Sequence, residues 1–153
     1  MSLKTAALWL HVLAGAGWIG ICGSFVLASL ALAGAATELR EFAVRTLPLL
    51  NRLAVGCACI VPITGIINLA FAARAHSYSL PRQFVIIVTA KLLIFSVMAW
   101  ALAIVIGRGK LIGLNDDANA EPPFVMRELA PWYGSIVILG ATALVLGLWL
   151  TGI

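Results

Sequence analysis

The chain has 153 residues, 63% of them hydrophobic and only 10% charged, with a net charge of +4 and a mean hydropathy of +1.09. Soluble domains run about 45–50% apolar and about 25% charged, so polar groups could not cover the surface of this one. A soluble globular fold, a disordered chain and a nucleic-acid-binding protein are excluded, and a single all-α membrane domain over 1–153 is expected.

A membrane span needs about 20 apolar residues, and four stretches qualify. The first covers about 5–36 and follows Lys4; it is too long for the apolar segment of a signal peptide. The second covers about 53–73 and contains Pro62, which can kink a helix and free a carbonyl. The third covers about 83–106 and the fourth about 132–152. Polar connections separate them: one with Glu38, Arg40, Glu41 and Arg45, one over 74–82, and one over 107–131. The expected architecture is an antiparallel four-helix transmembrane bundle. Ala16 and Gly20 on the first helix, and Ala143 and Gly147 on the fourth, allow close approach.

Four spans put both termini on one side, here side A, together with Lys4, Arg74 and Arg82. Side B carries Arg40, Arg45, Arg52, Arg108, Lys110 and Arg127. The positive-inside rule makes side B cytoplasmic, with both termini in the periplasm of a bacterial inner membrane. Trp9, Trp149 and Tyr78 near side A, and Trp132 and Tyr133 near side B, fit aromatic belts.

Ionisable groups within spans usually face the interior. His11 lies six residues past Thr5, about 9 Å along the helix axis. Trp18 and Cys22 follow on its face. Lys91 lies eight residues past Gln83 and costs about 2.5–3.5 kcal/mol on insertion scales. No Asp or Glu lies in any span, so its partner must be a carbonyl, hydroxyl, water, amide or bound anion. Thr64 and Asn68 share one face of the second helix. His11, Thr64, Asn68 and Lys91 thus form a polar layer near side A. A deeper layer holds Cys22, Cys57 and Met98, sulfur ligands of the kind that select Cu(I). The same residues equally suit plain packing, His11 a neutral hydrogen bond, and Lys91 interhelical glue. The three cysteines give no disulfide framework. Cys57 and Cys59 point to nearly opposite sides of a helix.

The stretch from His11 to Gly20 reads H-x6-W-x-G. It resembles the membrane domain of the copper resistance protein D (CopD) family and the related HemJ-type protoporphyrinogen oxidases. Thr64-Gly65 with Asn68, and Thr89-Ala90-Lys91-Leu92, look like the second and third helices of that family. Glu128 resembles an acidic position before its fourth helix. The resemblance implies a four-helix membrane bundle and copper uptake from the periplasm, or haem b binding with the histidine and lysine implicated. After Gly20 the chain runs Ser24-Phe25-Val26-Leu27-Ala28-Ser29, where HemJ is aromatic-rich, so copper leads.

The expectation is therefore a CopD-like protein that binds or takes up copper through His11. His76 is a loop-side ligand, and Cys22, Cys57 and Met98 are deeper metal ligands. A haem site would draw on His11, Lys91, Trp18, Asn68 and Thr64, with an oxidoreductase activity. A structural subunit of a larger membrane complex, or a homodimer, is the remaining reading. No catalytic residue is assigned, and membrane lipid is the other expected partner.

Overall fold

The computed structural model describes residues 2–75, 77–114 and 122–151, and every regular element among them is helical. They are α1 (Leu3–Ala31), α2 (Ala36–Arg45), α3 (Leu47–Ala75), α4 (Arg82–Leu114) and α5 (Pro122–Thr151). Four helices are long and apolar enough to cross a membrane, over Leu3–Ala31, Leu47–Ala75, Arg82–Arg108 and Glu128–Trp149.

Ser2 caps α1, its side chain accepting from the Thr5 amide at 3.3 Å. The helix stops at Ala31, short of the expected boundary at Ala36. A turn over 32–34 intervenes, and the chain then enters α2. The expected polar connection is therefore itself a helix. Hydropathy alone cannot see this break, because the run from Ala31 to Ala36 is apolar on both sides of the turn. Glu41 and Arg45, one turn apart in α2, pair at 3.2 Å, while Phe42 turns inward onto Phe25 with ring centroids 6.4 Å apart.

α3 and α4 both start earlier than the apolar runs, and α4 and α5 extend well beyond the lipid-length portion. Pro48 lies in the first turn of α3, where a missing N–H is harmless. Pro62 lies inside the helix, and its lack of an N–H deprives the Ala58 carbonyl of its usual partner. After α3 the Tyr78 amide bonds the Ala73 carbonyl at 2.8 Å and the Ser77 amide that of Arg74 at 3.2 Å. This is a Schellman closure, made with Ser77 and Tyr78 at φ of 50° and 62°. Glycine normally takes that left-handed conformation.

The spans pack in a ring, α1 against α3 and α5, and α4 against α5, while α3 and α4 scarcely touch. An apolar crevice of about 290 Å³ separates those two, lined by Val55, Cys59, Phe95 and Leu102 among others. α1 faces α4 across the diagonal, where Trp18 and Phe95 meet edge to face at 5.9 Å. The core stripe on α1 is Ala7, Ala14, Trp18, Cys22 and Phe25, at the spacing that puts residues on one helix face. Leu47, Ala54 and Thr64 are its counterpart on α3. Ile87, Met98, Leu102 and Val105 serve on α4, and Leu129, Tyr133 and Ile136 on α5. The outer faces carry Leu13, Ile66, Leu93 and Val145, all exposed.

Of the small residues expected at the contacts, the two on α1 are not used. Ala16 is exposed, and Gly20 meets nothing within 4 Å. The close approach is made instead by Gly140, where a methyl group would stand 2.5 Å from Ile19 Cγ1. Tyr133, expected in an aromatic belt, is 1% exposed and belongs to the core. Trp9, Tyr78 and Trp149 are exposed, as belt residues should be.

Candidate functional site

His11 sits on the core face of α1 and is half-buried. Its Nδ1 lies 2.9 Å from the Val61 carbonyl and 3.0 Å from Thr64 Oγ1. A carbonyl only accepts, so Nδ1 carries the hydrogen and the lone pair is left on Nε2. Thr64, itself 3% exposed, donates back to the Ile60 and Val61 carbonyls of its own helix. Gly65 makes room for the imidazole, since a Cβ there would come within 3.3 Å of His11 Cε1. One turn further along α3, Asn68 Nδ2 reaches the Ala7 carbonyl at 3.5 Å. The sequence reading brought His11, Thr64 and Asn68 to one level, and the structure brings them together between α1 and α3. Gly65 entered the sequence reading only as part of the Thr64-Gly65 pair, and the Val61 carbonyl not at all; the packed pair of helices gives both their places beside His11.

Lys91 approaches from the opposite corner. Its ammonium rests over Gly147 on α5, 2.7 Å from where a Cβ would be. Among the described residues the ion pairs are Glu41–Arg45 and Arg108–Glu128, and neither involves Lys91. The small residue at 147 thus makes room for the Lys91 side chain between α4 and α5.

The sulfur residues divide. Cys22 is fully buried, and Cys57 is half-buried with its Sγ 3.6 Å from a Cβ position on Gly17. Met98 is buried elsewhere, its Cε 3.2 Å from a Cβ position on Gly140. Gly17 and Ile19 are two residues apart, on nearly opposite sides of α1. Cys57 at Gly17 and Met98 at the Ile19–Gly140 contact therefore approach α1 from opposite flanks. Cys59 is exposed in the α3–α4 crevice, away from Cys57. Trp18 is 1% exposed, and among the described residues its Nε1 makes no hydrogen bond of ordinary geometry. His76, the expected loop-side ligand, lies outside the described residues.

Among the described residues no three His, Cys, Asp or Glu side chains stand close enough to hold one metal ion. His11 and Cys22 are eleven residues apart, about 16 Å along the axis, and so belong to separate levels. The Tyr133 hydroxyl donates to Asn51 Oδ1, and its ring lies 4.0 Å from that of Phe25. This polar contact at the side B end was not expected from sequence. Comparison with protein-family models, with curated proteins and with solved structures finds no match to this chain.

Proposed function

We propose that the chain is an integral membrane protein of four antiparallel spans that takes copper from the side carrying both termini, with His11 as the receiving ligand. Contacts that run in opposite senses along neighbouring helices support the topology. On α1 and α3 they are Gly17 with Cys57, His11 with Gly65 and Ala7 with Asn68. On α4 and α5 they are Arg108 with Glu128, Met98 with Gly140 and Lys91 with Gly147. The excess of Lys and Arg on side B supports a cytoplasmic location for that side, with the termini in the periplasm of a bacterial inner membrane. A reporter fused to the C-terminus should be active only outside the cytoplasm.

One observation carries the ligand reading. The His11 Nδ1–H is committed to Val61 and Thr64. That fixes the ring and leaves Nε2 free to bind, the arrangement seen when a backbone carbonyl orients a metal-ligating histidine. Purified protein should bind Cu(I) without visible colour, and His11→Ala should lose that ion. Full retention by His11→Ala removes the reading.

A second reading, haem, draws on Lys91, whose ammonium pairs with no described carboxylate. His11 Nε2 would hold the iron and Lys91 would pair with a propionate. Met98 would not share a level with Lys91, since it meets α5 at Gly140, seven residues and about 10 Å along the axis from Gly147. Bound haem would supply redox chemistry, and a Soret band in the purified protein would favour it over copper.

A further inference from the structure

Of the four seams in the ring of spans, the one between α3 and α4 is left unfilled, although the two helices still meet. Its apolar crevice of about 290 Å³ is lined on α4 from Phe95 to Ile106, a stretch of about 16 Å along the axis. On α3 its wall is Val55, Ala58 and Cys59. A further helix, about 10–12 Å across with its side chains, is too thick for a slot between two helices that touch. A single hydrocarbon chain is not. Arg52 stands at one end of this slot. It precedes Val55 by three residues and Cys59 by seven, so the three share one face of α3. Side chains on a helix lean toward its N-terminus, which for α3 is the side B end. Arg52 is exposed, and neither ion pair among the described residues, Glu41–Arg45 or Arg108–Glu128, involves it. A guanidinium is a strong paired donor to phosphate. The seam therefore combines an apolar slot with a cation at its mouth.

We propose that the α3–α4 seam holds one anionic phospholipid of the side B leaflet, with an acyl chain in the crevice and its phosphate on Arg52. The chain fills space that neither helix fills, and the phosphate gives Arg52 a counter-charge. Basic groups beside gaps between membrane helices on the cytoplasmic side bind anionic headgroups in this way. The leaflet follows from the topology proposed above; the site does not depend on copper or on His11. A zwitterionic lipid offers the same chain without the net charge, so headgroup preference separates this site from lipid that merely wets the surface. Arg108 follows Ile106 by two residues but is paired with Glu128 on α5, and takes no part.

The full-length protein is reconstituted in phosphatidylcholine vesicles with phosphatidylglycerol or phosphatidylcholine spin-labelled on the acyl chain, and electron paramagnetic resonance reads the immobilised lipid. The expected result is an immobilised component that prefers phosphatidylglycerol about fivefold, the effect of one basic residue on an anionic lipid. The preference should fade as salt is raised. Arg52→Gln should abolish it, while Arg52→Lys, which keeps the charge, and Arg108→Gln should retain it. Ala103→Phe, which fills the crevice from its wall, should also abolish it with Arg52 intact. Circular dichroism checks that each variant keeps the helical content of the wild type. Equal binding of the two lipids by the wild type overturns the site, and so does a preference that survives either Arg52→Gln or Ala103→Phe. Oxidation in vesicles containing phosphatidylglycerol gives the last outcome. Disulfide-linked dimers that Cys59→Ser removes would mean that a second copy, not a lipid, covers the seam, and would overturn the proposal.

Discussion

Two glycines on α5, seven residues apart, should respond in opposite ways to the same substitution. At Gly140 a Cβ would stand 2.5 Å from Ile19 Cγ1, 2.9 Å from Ile19 Cδ1 and 3.2 Å from Met98 Cε. Ile19 is β-branched and held to one χ1 rotamer on a helix, so Cγ1 cannot simply swing aside. Overpacking of this kind costs about 1–3 kcal/mol. Replacing glycine by alanine in a helix returns about 0.8–1.0 kcal/mol in aqueous hosts. Gly140→Ala should therefore destabilise by about 1 kcal/mol net. At Gly147 the atom in the way is Lys91 Nζ, at 2.7 Å. It ends a flexible four-carbon stem and can move at little cost, so Gly147→Ala should be neutral or stabilising while it displaces the ammonium. The assay is the folded fraction in mixed micelles titrated with SDS. Trimming Ile19→Ala in the Gly140→Ala background should recover the loss, with a coupling of about 1–3 kcal/mol between the positions. A Gly140→Ala variant as stable as the wild type, a coupling near zero, or a larger loss at Gly147 would refute the close approach of α1 and α5.

Two further outcomes follow from the same contacts. Tyr133→Phe leaves Asn51 Oδ1 without its donor in a half-buried place; it should destabilise by about 1–3 kcal/mol, and an unmoved SDS midpoint would show that the bond contributes nothing. Ser77→Gly should stabilise by about 1 kcal/mol, because Ser77 holds the left-handed conformation at φ 50°; a loss of stability there would mean that the serine side chain, and not the backbone, matters.

The core stripes were legible because helical spacing is a strong signal. His11, Trp18 and Cys22 fall on one face by count alone, and the structure buries or half-buries each of them. The level shared by His11, Thr64 and Asn68 was legible for the same reason. What stayed hidden depends on which helices become neighbours. Lys91 offered no carboxylate within any span, so no sequence count could choose Gly147 as the surface beneath it. Gly20 and Gly140 look alike as letters, yet one faces open space and the other receives Ile19. Tyr133 lies near a span end, where belts form, but its rotational position on α5 turns it toward Phe25 and Asn51. α2 was missed because its entry is apolar, and only its amphipathic pattern beyond Thr37 marks it as a separate helix lying on α3 and α5.

The two ends of the core differ in chemistry. Toward side A, His11, Asn68 and Lys91 are all half-buried. Toward side B, Phe25, Leu47, Leu129 and Tyr133 are buried together, Phe42 from α2 covers them, and the Tyr133–Asn51 bond ties α5 to α3. A polar group at the closed end would need a partner for every donor, and Tyr133 has one. At the side A end His11 keeps Nε2 unspent, and Lys91 pairs with no described carboxylate. On the proposed reading, an ion meets its first ligand where polar groups are reachable and is stopped where aromatics close the core. Passage inward would then require Phe25 and Tyr133 to separate, and a protein that only stores the ion would have no need to move them.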